Sequence, residues 1–211
     1  AIFHDKMTSI AVKNPNDPAS VTLYLITANG GTQNHKGVEA LLKYSVYQSD
    51  NGFIRSIHPF GNFTYSDFKY EDFKFHYLNG TKDSVVDYSG HRVAGVPKIT
   101  ANLGLDFLLK YGIYGNITYA YRDKMPIVST EEFFTSSYSL LNTRIGIRQN
   151  LGNYFTMDLF FGINNITNTQ YPIKVFINQL ANPLNKTSGD AYIPGPRKAN
   201  YYGGINLKYN F

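Results

Sequence analysis

Side chains that could do chemistry are few and scattered along this 211-residue chain. The five histidines show no His-x-x-x-His spacing, so they do not have the pattern of a metal site. No nucleophile elbow or phosphate-binding loop occurs. The adjacent acidic pair Glu131-Glu132 is interpreted as a solvated loop tip, because neighbours on a strand point in opposite directions. The sequence thus predicts no catalytic residues, no metal site and no resident cofactor, which is not the pattern of an enzyme.

The remaining polar side chains of interest fall into two groups. Members of the first share one side of the predicted strands and are expected to line a wet, charged interior rather than a dry core: Arg144, Arg148, Asp158, Asn164, Asn206 and Lys208. Members of the second lie in or beside long loops: His91, Arg92, Tyr171, Lys174, Tyr192, Arg197 and Lys198. Because cations and aromatic rings can meet an anionic ligand, all of the second group except Arg197 are candidate ligand contacts.

The elements that must position these residues follow from a two-residue alternation. Tyr201–Phe211 shows it best, with Ile205 and Leu207 on one face and Asn206 and Lys208 on the other. Aromatic residues are dense (16%) and charged residues sparse (17%), against about 25% charged in typical soluble domains. No run of about 18 apolar residues is present to form a transmembrane helix. The pattern predicts an all-β fold, an antiparallel transmembrane β-barrel; composition alone leaves a soluble all-β protein open.

The order of turns and loops indicates how the barrel is built. The sequence predicts about nine strands with a bulge near Asp67 and Phe68, and long loops at His76–Ala94, Asp123–Ser136 and Asn165–Ala199. Short turns separate the other strands, so the C-terminus is expected on the periplasmic side, where such barrels have short turns. An odd strand count that begins in mid-strand favours part of a larger barrel.

Two short turns ending in glycine predict the register of two hairpins. Lys110-Tyr111-Gly112 and Asn150-Leu151-Gly152 are expected to be three-residue turns with a left-handed final residue. Carried along the second hairpin, this register sets Arg144 opposite Asp158, an opposite-charge pair across two strands.

Global composition excludes other classes. Cysteine is absent, which excludes disulfides and thiolate metal sites. The net charge of +5 is diffuse, and no lysine block with interleaved aromatics is present, so nucleic acid is not an expected partner.

Four spaced motifs resemble one known family, the TonB-dependent outer-membrane receptors. Asn29-Gly30 followed by Gly37-Val38-Glu39 resembles that family's "N-G … G-V-E" strand pair. Gly95–Lys98 followed by Ile99–Leu103 resembles "vPkhtanl", and Phe161–Tyr171 resembles "gvnNltdkkY". Pro194–Arg197 resembles the "pgpgR" signature before the closing strand. In this order the motifs cover nearly the whole chain.

The resemblance implies that residues 1–211 are the C-terminal portion of a receptor β-barrel of about 22 strands in the bacterial outer membrane. It implies import of a scarce ligand, most often a ferric siderophore or other iron chelate, haem or cobalamin, with TonB supplying energy from the inner membrane. The resemblance implies that the plug domain, the TonB box and the first half of the barrel lie outside residues 1–211. Implied partners are outer-membrane lipid, the TonB complex, the protein's own plug and an accessory surface lipoprotein.

The resemblance also assigns roles to the two residue groups. The interior group becomes a set that faces a lumen and its plug, and the loop group becomes a set of contacts to an iron chelate. Arg197 matches the family motif at the start of the last strand and is expected to pack there. Two other readings stay open: a passive or structural outer-membrane barrel within a larger assembly, and a soluble lipocalin-like β-barrel.

Overall fold

The computed structural model describes residues 5–14, 17–29, 31–79, 82–177 and 192–209. The regular secondary structure in these ranges is β-strand, apart from one short 3-10 turn at Lys110–Gly112, and turns and irregular loops connect the strands. None of the helical structure in the described ranges is long and apolar enough to cross a membrane. The all-β antiparallel fold predicted from the alternation is confirmed.

Nine long strands cross the described part of the chain, in agreement with the predicted number. They are β1 (Asp5–Asn14), β2 (Asp17–Asn29), β3 (Thr32–Lys43), β5 (Ile54–Asp72), β8 (Ile99–Leu109), β9 (Ile113–Arg122), β10 (Tyr138–Leu151), β11 (Phe155–Asn164) and β14 (Asn200–Tyr209). Short strands lie between them: β4 (Tyr47–Gln48), β6 (Lys74–Asn79), β7 (Lys82–Asp87), β12 (Pro172–Val175) and β13 (Tyr192–Pro194).

Seven of the long strands form one antiparallel sheet in the order β3-β5-β8-β9-β10-β11-β14, and β1 pairs with β2 in a separate hairpin. Neighbours in the sheet are successive long strands of the sequence, as in a meander that follows a barrel wall. Connections at one end are short, such as Lys110–Gly112. Those at the other end are long, such as residues 123–137 between β9 and β10.

The two faces of this sheet differ in polarity and in exposure. Register places most of the aliphatic positions of the seven strands on one face, with Leu105 opposite Ile117 and Met157 opposite Leu207. This face points outward: Ile145 is 50% exposed and Leu207 is 64% exposed, while Leu105 is half-buried. The opposite face is polar and sheltered, as shown by the buried carboxylate of Asp158. Among the residues whose burial the structure describes, this large apolar face is not covered by a core, which suits hydrocarbon rather than water.

Aromatic rings on the polar face lie over glycines of the neighbouring strand. Phe60 covers Gly104, Tyr202 covers Gly162, and Phe160 covers Gly204, each across a register pair. In every case an added Cβ would overlap the ring. Because the glycines have no side chain, the aromatic rings can pack flat against the backbone of the neighbouring strand. This close packing, here called the ring–glycine contact, favours one register of the two strands.

The long connections contain more strand than the sequence predicts. His76–Ala94 is not wholly a loop, because β6 and β7 pair as a hairpin from Lys74 to Asp87. The bulge expected near Asp67 and Phe68 is also wrong in position. Both residues pair regularly with β3, and the register shifts instead lie farther out on β5, beside Tyr70 and Asp72, and at its start, between Ile54 and Ser56.

The register predicted for the β10–β11 hairpin is wrong by four residues. The first hairpin agrees with its prediction: Leu108 lies opposite Tyr114, and Gly112 is left-handed with φ +67°. In the second, β10 continues to Leu151 and the turn is residues 152–154, with the left-handed glycine first rather than last. Asp158 therefore faces Arg148, not Arg144. A slip of four keeps every side chain on its predicted face.

The packing of the Phe60 ring on Gly104 provides a test of the fold. Gly104→Ala should lower the free energy of unfolding of the full-length protein in detergent by about 1–3 kcal/mol, because the new methyl overlaps the ring. The measurement is heat- or denaturant-induced loss of the folded band on unboiled gels. In the presence of Phe60→Ala, Gly104→Ala should lower the free energy of unfolding much less. Full additivity of the two substitutions would contradict packing of the Phe60 ring on Gly104.

Candidate functional site

The polar face carries a hydrogen-bonded cluster centred on Asp158. Its Oδ1 accepts a hydrogen bond from the Tyr114 hydroxyl at 2.7 Å, and its Oδ2 is bound by Arg148 Nη2 at 3.1 Å. Three adjacent strands, β9, β10 and β11, each supply one member of the cluster. Both carboxylate oxygens are therefore satisfied by the wall itself, as a sheltered charge requires.

Arg144 lies beside this cluster but is held differently. Its guanidinium carbon is 3.9 Å from the centre of the Phe160 ring, and its Nη2 is 3.4 Å from the Tyr114 hydroxyl. Its Nε is buried, and no group among the described residues accepts its hydrogen. The arginine is thus kept in one orientation by an aromatic face and a phenol, without a carboxylate of its own.

A cavity of about 520 Å³ opens along this face. Its lining is rich in amides and hydroxyls: Asp106, Tyr114, Asn116, Asn142, Arg144, Arg148, Asn164 and Tyr202 are among its walls. Asp106 accepts a hydrogen bond from the Asn116 amide, and Asn164 donates to Asn200 at 3.2 Å. The cavity therefore presents many hydrogen-bonding groups to whatever occupies it.

The Asp158 cluster predicts a specific energetic coupling. In a double-mutant cycle with Tyr114→Phe and Asp158→Asn, the two substitutions should be coupled by about 1.5–3 kcal/mol, the range for a hydrogen bond to a charged group. Unfolding of the full-length protein in detergent measures each corner. The same cycle with Arg148→Gln should give a smaller value, because that guanidinium is mostly exposed. No coupling between Tyr114 and Asp158 would contradict this geometry.

At the long-loop end, β5 continues beyond Tyr65, its last residue paired with β8. Residues of this extension pack against the neighbouring loops in a small cluster. The buried Tyr70 hydroxyl lies 3.1 Å from Ser129 Oγ, and His91 Nδ1 lies 2.9 Å from the Ser129 carbonyl oxygen. The Gly95 amide donates to the Pro126 carbonyl at 2.7 Å. These contacts tie the loop at residues 123–137 to the connection that precedes β8.

A second cavity, of about 350 Å³, lies between that loop and the β12–β13 hairpin. Aromatic and proline side chains dominate its lining, with Arg197 as the cation: Ile127, Phe133, Phe134, Tyr171, Pro172, Val175, Tyr192 and Pro194. Tyr171 packs on Tyr138 with ring centres 5.7 Å apart, and Tyr138 begins β10 opposite Arg122. We refer to this cavity as the rim pocket. The aromatic rings and the guanidinium that its described residues supply suit an anionic ligand with planar groups.

The motif around Asn165 forms a buried polar corner that supports the rim pocket. Asn165 is 2% exposed and has the left-handed φ of +54°. Its Oδ1 accepts from the Thr169 amide at 2.9 Å, while its Nδ2 donates to the carbonyls of Thr169 and Pro196 at 2.9 and 3.3 Å. Asn142 Oδ1 in turn accepts from the Asn165 amide. One side chain therefore joins β10, the end of β11 and the segment that precedes β14.

Replacing Asn165 should destabilise the segments that it joins. Asn165→Ala should lower the free energy of unfolding by about 2–4 kcal/mol, since it leaves buried backbone groups unpaired and puts a Cβ-bearing residue without a polar side chain at positive φ. Amide hydrogen exchange should rise at residues 165–171 and 194–199. Asn168→Ala is the milder control: Asn168 also lies at positive φ, but among the described residues its side chain accepts one such hydrogen bond, from the Ala199 amide. Equal exchange in both variants would contradict the special role of Asn165.

The structure groups the sequence-predicted residues only partly. The six interior candidates share the polar face, where Arg144, Arg148 and Asn164 line its cavity; Asn206 lies opposite Asp158, and Lys208 opposite Thr156. Among the loop candidates, Tyr171 and Tyr192 meet at the rim pocket. His91 lies beside Ser129, Arg92 forms an isolated bridge with Lys69 of β5, and the Lys174 amine lies 5.0 Å from the centre of the Phe176 ring. Ligand contact by these loop residues stays a prediction.

Sequence reasoning missed Tyr114, Phe160 and Phe134. The first two were passed over because aromatic side chains on an otherwise polar face break the alternation. The available signal was the glycine that each ring covers on the next strand, Gly146 beneath Tyr114 and Gly204 beneath Phe160. Phe134 lies in a loop, where no periodic pattern applies.

Together, a sheet with an apolar outer face, a charged inner face and long loops at one end defines the wall of a membrane-spanning β-barrel. The model of the family "TonB dependent receptor-like, beta-barrel" matches residues 1–166. The chain therefore belongs to this family of receptor barrels.

Solved structures agree with the fold. The chain is similar to the crystal structure of the siderophore receptor PiuA from Acinetobacter baumannii, with 16% sequence identity and a TM-score of 0.62. The match covers 98% of this chain and 25% of that one, so the chain spans about a quarter of the receptor's length. At this identity the likeness concerns the fold alone. No curated protein matches the sequence significantly.

Proposed function

We propose that residues 1–211 are the C-terminal portion of the β-barrel of a TonB-dependent receptor in the bacterial outer membrane. The full-length protein then imports a scarce ligand, for which we propose a ferric siderophore or another iron chelate. The observation that carries the proposal is the family match over residues 1–166, on a sheet whose apolar face is exposed and whose polar face is sheltered. Family members are receptors rather than enzymes.

The structure supports two parts of this role. The rim pocket offers aromatic rings and the Arg197 guanidinium at the long-loop end, where such barrels meet ligands from outside. The charged inner face offers a hydrogen-bonding wall to a plug domain. We also propose the TonB complex and outer-membrane lipid as partners of the full-length protein, with an accessory surface lipoprotein as a further one.

Growth on defined nutrient sources tests the proposal. Deleting the gene should abolish growth on at least one ferric siderophore, haem or cobalamin supplied as the limiting source. Deleting TonB should give the same phenotype, since import against a gradient needs energy. Growth that depends on the gene but not on TonB would instead indicate a passive barrel, and no growth change on any source would contradict nutrient import.

The rim pocket is tested in the same strains. Tyr192→Ala should raise the ligand concentration needed for half-maximal uptake by about tenfold, the effect of losing roughly 1.4 kcal/mol of binding. Tyr154→Ala is the matched control: it is 58% exposed against 57% for Tyr192, but lies in the short turn at the other end of the sheet. Equal effects of the two substitutions, with equal surface levels, would contradict a ligand role for the pocket.

A further inference from the structure

Three lysines gather on the outer, apolar side of β3, β5 and β8, at the end of the sheet that carries the long connections. Lys36 lies opposite Asp67 in the register of β3 and β5, and the Lys69 amine lies 3.7 Å from the Asp67 carboxylate. The Lys98 amine, just before β8, lies 5.5 Å from the centre of the Tyr65 ring. Lys36 and Lys69 are exposed, and Lys98 is half-buried. We call these three residues the lysine cluster.

The two-residue period places the lysine cluster directly beyond the apolar face of the sheet. Tyr65 pairs with Val38 of β3 and with Ile99 of β8, and all three belong to that face. Asp67 is the next residue of β5 on the same side. From Val38 inward, β3 carries exposed apolar side chains on this side, such as Leu42. The cluster therefore lies where the apolar face ends, at the border between hydrocarbon and water.

The lysine cluster carries more positive charge than the acids around it neutralise. Asp67 is the carboxylate that Lys69 reaches, and its side chain is partly exposed. Glu71 and Asp72 come later on β5, farther from the apolar face. Beside β8, Asp123 already accepts a hydrogen bond from the amide of the residue that follows it. Among these described groups, three amines share the one carboxylate of Asp67, which leaves two positive charges unmatched.

The position of the cluster defines the chemistry of a matching ligand. A lysine amine is a compact charge with three rotatable donors, which suits the oxygens of a phosphate. Directly beside the amines, Phe63 and Leu103 expose apolar side chains on the outer face. A soluble anion would gain nothing from that surface, whereas a ligand with acyl chains would cover it. Each lysine near an anionic membrane surface strengthens binding by about fivefold.

We propose that the lysine cluster binds the phosphate of a membrane lipid whose acyl chains lie on the apolar face between β3 and β8. Lys36 and Lys69 donate to the phosphate oxygens, and Lys98, held over the Tyr65 ring, closes the site. The inference deepens the lipid partnership proposed above and rests on the proposed function in one respect, that this chain lies in a membrane. It does not depend on which ligand the receptor imports.

Three probes separate the contributions of phosphate and acyl chain to binding by the full-length protein in detergent. Phosphatidic acid has both parts, diacylglycerol with the same chains lacks the phosphate, and glycerol 3-phosphate lacks the chains. Native mass spectrometry should show that phosphatidic acid binds at least about tenfold more tightly than either of the other two. Diacylglycerol binding as tightly would overturn the proposal. Glycerol 3-phosphate binding as tightly would identify a site for a free phosphate, and the lipid assignment would be wrong.

Substitutions locate the site on the protein. The triple variant Lys36→Gln, Lys69→Gln and Lys98→Gln should weaken phosphatidic acid binding on the order of a hundredfold, and changing the same positions to arginine should preserve it. Lys98→Gln alone should cost about fivefold. Lys110→Gln is its matched control, because the Lys110 amine lies 4.9 Å from the centre of the Tyr111 ring at the short-turn end.

Unchanged binding in the triple glutamine variant would overturn the proposal, and so would equal losses in Lys98→Gln and Lys110→Gln. The heat-resistant band on unboiled gels checks that each variant is folded. Growth of the same variants on defined nutrient sources reports on the proposed import separately, so failure of the lipid site and failure of import are distinguishable.

Discussion

The structure depends on one constraint, that a strand inside hydrocarbon must satisfy all of its backbone hydrogen bonds through its neighbours. Lipid offers neither donors nor acceptors, so each central strand pairs on both edges, and neighbours run in sequence order. Side chains then have only two directions, toward lipid or toward the interior. The alternation of Ile205 and Leu207 with Asn206 and Lys208 is the direct record of that constraint.

Alternation makes the faces predictable but leaves the register open. The nine long strands and the side on which Arg144, Arg148 and Asp158 lie were all readable from the sequence. The partner of Asp158 was not, because both Arg144 and Arg148 satisfy the same two-residue period. The deciding feature was the position of Gly152, which begins its turn where Gly112 ends one. A glycine in a short hairpin indicates a left-handed residue but not its place in the turn.

Loop structure was less predictable for a related reason. The β6–β7 and β12–β13 hairpins belong to the long connections between the main strands. Outside the membrane, side chains need not alternate between lipid and interior, so the sequence shows no two-residue pattern there. The motif at Phe161–Tyr171 was visible in the sequence, yet the structural role of its Asn165 needed coordinates. Asn165 satisfies backbone groups on two separate segments, a task that only a short amide side chain at positive φ performs well. The asparagine thus holds this end of the sheet together and supports the aromatic side chains that line the rim pocket.

The rings that rest on glycine also affect how much room the barrel leaves inside. Phe60, Tyr114, Phe160 and Tyr202 lie along the backbone of the next strand instead of standing away from it. Each bulky side chain therefore packs against the backbone of the sheet and occupies little of the space beside the polar face. A wall built this way leaves more open space beside its polar face, and the guanidinium of Arg144 lies over one of these flat rings, that of Phe160.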